Sequence, residues 1–132
     1  MSDKELEKIR REKAQALMRE LSMPKEILQI RSYQQYSDLL KQYPNKLVVM
    51  DLWAEWCAPC KMFAPVFEKL QKEYHNHAIF VKVNVDENQL IAQQYGITGI
   101  PTTLFVKNGK VVHKIVGAAN YNKVKEAVEK LA

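Results

Sequence analysis

Short apolar segments alternate along this chain with amphipathic segments of helical period, and this alternation limits the possible folds more than any other feature. Residues 47–53 and 78–85 are the clearest apolar segments, each typical of a strand that is buried on both faces. Between them, apolar side chains recur at helical spacing from Met62 to Tyr74, with Pro65 inside the pattern. The chain therefore predicts a parallel sheet that is covered by helices.

The remaining segments continue this alternation of strands and helices. Near the end of the chain, two predicted strands follow each other directly. Asn108-Gly109 lies between two apolar runs, which is the strongest local signal for a hairpin of antiparallel strands. The further predicted elements are a strand at residues 27–30, helices at 32–42 and 88–95, strands at 102–106 and 111–116, and a helix from Asn120 to Leu131. We expect an α/β fold in which helices flank both faces of a mixed sheet.

The first 24 residues differ in composition from the rest and form a charged helical extension, so we divide the chain into residues 1–24 and a domain at 25–132. Ser2 and Glu5 have the spacing of a capping box, in which each side chain bonds the other residue's free N–H. The predicted apolar stripe of this helix is Leu6, Ile9, Ala16, Leu17 and Leu21. We expect this stripe to require a surface to pack against, because an isolated helix of this length is only marginally stable.

Composition excludes several classes of protein. The 132 residues suit one compact domain, and no apolar run approaches the length of a membrane span. The net charge of +5 is spread along the chain without a run of five like charges, so we expect no nucleic-acid partner. No basic and then apolar leader opens the sequence, and we expect a cytoplasmic protein without membrane attachment.

The only two cysteines, Cys57 and Cys60, lie where a buried strand turns into the long helix. A helix start has free N–H groups and a positive dipole end, which stabilise a thiolate at Cys57 and so activate it. Cys60 follows about one turn later on the same face, close enough for a disulfide. Pro59 is tolerated there because its missing N–H has no partner in a first turn. The arrangement suits a reversible dithiol.

Two other interpretations of the cysteines are weaker. A Cys-x-x-Cys pair is also half of a zinc site, which His75 and His77 would have to complete. Their spacing is shorter than usual, and the intervening helix would carry them away from its own start. Two inert core cysteines are equally improbable beside Trp56, Pro59 and Lys61. We therefore expect no metal.

The sequence Asp-Leu-Trp-Ala-Glu-Trp-Cys-Ala-Pro-Cys-Lys at residues 51–61 resembles the active-site segment of the thioredoxin family, with Ala58 where glycine is most familiar. Further matching stretches follow in the family's order at residues 64–65, 82–86, 95–102, 107–109 and 116–118. The resemblance covers about residues 26–132 and implies the thioredoxin fold. Residues 1–24 lie outside it.

The resemblance implies a general protein-disulfide reductase whose redox group is the Cys57–Cys60 pair itself, with no further cofactor. Burial of Asp51 without a partner would raise its pKa, which suits a proton shuttle near neutral pH. In the family pattern Asp51 takes the proton of Cys60, and Lys82 modulates Asp51. The alternatives are a solvent-facing Asp51 and a Lys82 that merely reaches solvent from its strand. Pro101 matches the family's cis-proline, which faces the cysteines.

The resemblance also implies an apolar docking surface for clients around Cys57. Its residues are Trp56, Ala58, Pro59, Gly99, Ile100, Pro101, Val116, Gly117 and Ala118. Small residues let a client backbone approach, and the backbone of Ile100 could pair with an extended segment. The alternative is ordinary packing of loops and strand ends. The implied partners are disulfide-containing client proteins and a thioredoxin reductase, with the protein acting as a monomer.

Two further functions are consistent with parts of the sequence. An oxidase or isomerase would use the same chemistry, but the missing export signal and the Ala58-Pro59 dipeptide argue against it. A redox-sensitive binding module, whose N-terminal helix recruits a partner, is the alternative from another class.

Overall fold

The computed structural model describes residues 1–21 and 23–132, and the predicted order of elements is confirmed. The elements are α1 (Asp3–Leu21), β1 (Leu28–Ile30), α2 (Tyr33–Gln42), β2 (Val48–Trp53), α3 (Ala58–Tyr74), β3 (Ile79–Asn84), α4 (Gln89–Gln94), β4 (Thr102–Lys107), β5 (Lys110–Val116) and α5 (Tyr121–Leu131). Pro65 lies inside α3 as expected.

The five strands form one mixed sheet in the order β1-β3-β2-β4-β5. Strands β1 and β2 both run parallel to β3, whereas β4 runs antiparallel to β2 and to β5. The carboxyl ends of the parallel strands therefore share one edge of the sheet, and β2 reaches that edge immediately before Cys57.

Helices cover both faces of the sheet, as predicted. Helices α2 and α4 pack on the face to which Met50 points, whereas α3 and α5 pack on the face to which Val49 points. Both side chains are completely buried, because successive residues of a central strand point to opposite, equally covered faces. This explains why β2 is apolar at nearly every position.

Local sequence signals define several of the boundaries. The Ser32 hydroxyl accepts a hydrogen bond from the Gln35 N–H at 3.1 Å, and the Asn120 side chain accepts one from the Lys123 N–H at 2.9 Å. Both residues are therefore helix N-caps, at the positions where the sequence predicts these helices to begin. In the β4–β5 hairpin, Asn108-Gly109 adopts positive φ angles of 51° and 79°, as a tight turn between twisted strands requires.

Helix α1 begins as predicted, with the Ser2 hydroxyl accepting a hydrogen bond from the Glu5 N–H at 3.2 Å. Its apolar stripe is not covered: Leu6 is 39% exposed and Leu17 is 56% exposed. At neither position does this chain supply the surface that the stripe was expected to pack against. The side chain of Leu21 lies outside the described residues. No helix in the described part of the chain has the length and apolar composition needed to cross a membrane.

Candidate active site

Cys57 is the N-cap of α3, directly after β2, and it forms a disulfide with Cys60. The Cα atoms are 5.3 Å apart, and the Cys57 Sγ accepts a hydrogen bond from the Cys60 N–H at 3.2 Å. The sulfur thus occupies the place of a capping oxygen at a helix start. The same N–H and the positive dipole end would stabilise a thiolate on Cys57 once the disulfide is reduced.

Both cysteines are buried, in a small apolar cluster with Ala54. Trp53, Val85 and Ile100 pack against this cluster, and the Cys57 Sγ lies 3.8 Å from the Ile100 carbonyl oxygen. The disulfide therefore has low-polarity surroundings, and we refer to this cluster of Ala54, Cys57 and Cys60 with its packing residues as the cysteine recess.

Asp51 is completely buried in the middle of β2, so the alternative of a solvent-facing carboxyl is wrong. Neither carboxylate oxygen has a hydrogen-bond partner among the described residues. Asp51 points to the same sheet face as Val49, which is the face that α3 covers. Burial raises the pKa of Asp51 to about 7, and the positive charge of Lys82 opposes this rise.

Lys82 lies beside Asp51 because the two residues are direct register partners in β3 and β2. Its side chain is half-buried, and its Nζ lies 5.5 Å from the centroid of the Trp53 ring. This contact is within the range of a cation–π interaction. The ammonium group therefore lies near the Trp53 ring, and its charge acts on the buried acid.

The loop before β4 forms the other wall of the recess. The Ile100–Pro101 peptide bond is cis, in agreement with the family pattern. Two hydrogen bonds stabilise this loop. The Gly117 N–H donates to the Pro101 carbonyl at 2.7 Å, and the Thr102 hydroxyl donates to the Gly99 carbonyl at 2.5 Å. Gly117 has a φ of 93°, a conformation that favours glycine.

The structure brings most of the predicted docking residues to the rim of this recess. Trp56 is the most prominent, with 71% of its surface exposed beside Cys57. Ala58 and Pro59 are exposed in the first turn of α3, and Val116 and Ala118 are exposed across the recess. Ile100 and Gly99 are half-buried, whereas Pro101 is buried.

One polar contact at this rim was not expected from the sequence. The Trp56 indole N–H donates a hydrogen bond to the Asp86 carboxylate at 2.9 Å. Asp86 follows β3 by two residues, and its own N–H bonds the Asn84 side chain at 2.9 Å. No local sequence signal marks this contact, because it depends on β2 and β3 being neighbours in the sheet that end at the same edge.

The structure offers no support for a zinc site at the cysteines. His75 is the C-cap of α3, at the end opposite Cys57, so the whole helix separates the cysteines from both histidines. Throughout residues 1–21 and 23–132, no three His, Cys, Asp or Glu residues are grouped as metal ligands.

Comparison with known proteins places this site in a family. A family model described as Thioredoxin matches residues 27–130. Thioredoxin of Chlorobaculum thiosulfatiphilum is 49% identical over 85 residues, which cover 64% of this chain and 79% of that protein. Thioredoxin H4 of Arabidopsis thaliana is 51% identical over 74 residues, which cover 56% of this chain and 62% of that protein.

Solved structures agree with the sequence comparisons. The crystal structure of reduced Schistosoma mansoni thioredoxin pre-protein superposes with a TM-score of 0.75 at 41% identity, and the match covers 81% of this chain and 99% of that one. Malassezia sympodialis thioredoxin has a TM-score of 0.74 at 40% identity, covering 80% of this chain and 90% of that one. Because the fold, the cysteine pair and the family match all agree over residues 27–130, the chain belongs to the thioredoxin family.

Proposed function

We propose that this protein is a thiol–disulfide oxidoreductase that reduces disulfides of client proteins through Cys57 and Cys60. The observation that carries the proposal is the Cys57–Cys60 disulfide at the N-terminus of α3, in a recess with an exposed apolar rim. This geometry combines an activated sulfur, a resolving sulfur within bonding distance and a surface for a client. Membership of the thioredoxin family favours this function over a redox-sensitive binding module.

The reaction has two exchange steps. The Cys57 thiolate attacks one sulfur of the client disulfide, a mixed disulfide forms, and the other client sulfur leaves as a thiolate. Cys60 then loses its proton and attacks the Cys57 Sγ. The client leaves with both sulfurs reduced, and the Cys57–Cys60 disulfide is formed. Two electrons pass from the protein to the client in each cycle.

We assign the proton acceptor for Cys60 to Asp51. A general base works best when its pKa is close to the operating pH, and burial raises the pKa of Asp51 to about 7. Asp51 lies under α3, the helix that carries Cys60. Lys82 keeps the pKa from rising further, which preserves an ionised fraction at neutral pH.

The rim residues fit an extended client segment. An exposed Trp56 supplies apolar contact area, and the backbone of Ile100 is available at the edge of the recess for main-chain hydrogen bonds. We assign client binding to the rim residues named above, with Trp56 and Ile100 as the main contacts.

A thioredoxin reductase is the expected source of electrons, since members of this family are generally recharged by such an enzyme. We place the protein in the cytoplasm as a monomer, and we expect no nucleic-acid partner because its charges of both signs are interspersed.

Insulin reduction with dithiothreitol as the electron source tests the proposal. We expect the wild type to accelerate precipitation of the insulin B chain, and Cys57→Ser to bring the rate down to that of dithiothreitol alone. Lys61→Ala is a matched control, because Lys61 is an exposed neighbour that pairs with Glu55 at 3.4 Å. A wild-type rate equal to that of dithiothreitol alone would contradict the proposed function.

A further inference from the structure

Thr103, near the start of β4, carries a hydroxyl that the fold leaves unpaired. The residue is completely buried, and its Oγ1 has no hydrogen-bond partner among the described residues. Burying a hydroxyl without a partner destabilises a protein, so each such group calls for an explanation. The hydroxyl of the neighbouring Thr102 is not unpaired in this way, because it donates a hydrogen bond to the Gly99 carbonyl.

The register of the sheet places Thr103 against the buried acid. Thr103 on β4 is the direct partner of Asp51 on β2 in an antiparallel pair. Directly opposed residues point to the same face, with Cβ atoms about 4.5–5.5 Å apart. Both carboxylate oxygens of Asp51 also lack partners among the described residues. Two unsatisfied polar groups thus lie side by side in a layer whose other polar neighbour is Lys82.

The charged and titratable groups around Asp51 come from other elements. Lys82 adjoins it on β3, and α3 above it carries Cys57 and Cys60. Strand β4 contributes the hydroxyl of Thr103 at the opposing position. Lys82 can act on Asp51 through its charge and can only donate hydrogen bonds. A hydroxyl can both donate and accept, so it can serve either protonation state of the acid.

We propose that Thr103 is a positioning residue for Asp51, and that its hydroxyl donates a hydrogen bond to the Asp51 carboxylate through one bridging water molecule. This inference rests on the proposed function, in which Asp51 accepts the Cys60 proton. When the carboxylate takes up that proton, the Thr103 hydroxyl rotates and becomes the acceptor. Thr103 keeps its own hydrogen throughout, so the step transfers one proton from Cys60 to Asp51.

The hydrogen bond has a defined effect on titration. A donor to the ionised carboxylate favours that state and therefore lowers the pKa of Asp51 relative to a site without the donor. Thr103→Val removes the hydroxyl and keeps the shape of the side chain, so it isolates this effect. We expect the pKa of Asp51 to rise by about one unit in Thr103→Val. Thr103→Ser restores the hydroxyl and should restore the titration.

The direct test is the carbon-13 titration of the Asp51 carboxyl by NMR in the oxidised protein, where neither cysteine titrates. Ile115→Val is the matched control for packing, because Ile115 is the buried partner of Thr103 on β5. We expect an upward shift in Thr103→Val and wild-type titration in the Ser and Ile115→Val variants. Equal titration of Asp51 in wild type and Thr103→Val would overturn the proposal, whatever the reductase activity is.

Activity provides the second readout. If the pKa of Asp51 rises from about 7 in the wild type to about 8 in Thr103→Val, the fraction of Asp51 that is ionised at pH 7 falls roughly fivefold. We expect the insulin-reduction rate of Thr103→Val to fall by a similar factor at pH 7 and to recover towards wild type at higher pH. In an Asp51→Asn background, Thr103→Val should have no further effect. An equal loss in that background would assign the Thr103 effect to packing and overturn the positioning role.

Discussion

Asp51 on β2 and Lys82 on β3 are direct register partners, so a completely buried aspartate lies beside a half-buried lysine. Burial and charge act in opposite directions on this carboxyl. Burial is the larger effect and raises the pKa of Asp51 to about 7, while the charge of Lys82 lowers it. The balance leaves the acid able to bind and release a proton near neutral pH.

Replacement of Lys82 by Met should raise the pKa of Asp51 further. The substitution removes a favourable charge from the ionised carboxylate and retains most of the side-chain volume. The measurement is the Asp51 carboxyl titration in the oxidised protein, with Lys114→Met as a control on an exposed strand position. An unchanged or lowered Asp51 pKa in Lys82→Met would show that Lys82 does not act on this acid.

Asp51→Asn should stabilise the protein increasingly as the pH rises from about 4 to about 7. The folded pKa lies above the unfolded one, so the native state binds the proton more tightly, and ionisation in this range destabilises the wild type. The full rise in the pKa of Asp51 on folding corresponds to about 4 kcal/mol of unfolding free energy. Above pH 7 the difference in unfolding free energy between Asp51→Asn and wild type should be constant.

Urea unfolding of both proteins at several pH values measures that difference. Asp38→Asn is the matched control, because Asp38 is exposed on α2. A difference between wild type and Asp51→Asn that does not change from pH 4 to pH 7 would contradict the raised pKa of the buried carboxyl.

Deletion of residues 1–22 should leave insulin reduction nearly unchanged. The cysteine recess is built from residues of β2, α3 and the loop before β4, and Leu6 and Leu17 of α1 are exposed. Stability should change little, since full burial of a large apolar side chain contributes only about 1.5–3 kcal/mol and these two are not buried. Insulin-reduction assays and urea unfolding of the truncated protein test both expectations. The double substitution Leu6→Ser/Leu17→Ser in the full chain is the control. A truncated protein that folds normally but does not reduce insulin would place α1 in the mechanism.

Much of the fold follows from local sequence signals. Ser32 and Asn120 cap helices through bonds to residues three positions away, and Asn108-Gly109 closes a hairpin within two residues. Each signal involves residues that are close in the sequence, so it can be identified before the rest of the structure is known. The cysteine pair is local in the same sense, because strand, N-cap and first helical turn adjoin in the chain.

The pairing of distant residues could not be predicted in this way. Thr103 lies in an apolar segment where a β-branched residue is an ordinary strand former, and only the strand register places it opposite Asp51. Asp86 likewise reaches Trp56 because β2 and β3 end at the same edge. The order of the strands fixes both relationships, and that order depends on packing across the whole sheet.

In the proposed reaction, Cys57 attacks the client and Cys60 resolves the mixed disulfide. Each cysteine is replaced by serine in turn, the variants are incubated with oxidised insulin, and the products are separated without reductant and identified by mass spectrometry. We predict that Cys60→Ser accumulates a disulfide between Cys57 and insulin, while Cys57→Ser forms none and reduces no insulin. A mixed disulfide through Cys60 in Cys57→Ser, or continued turnover by Cys60→Ser, would contradict these roles.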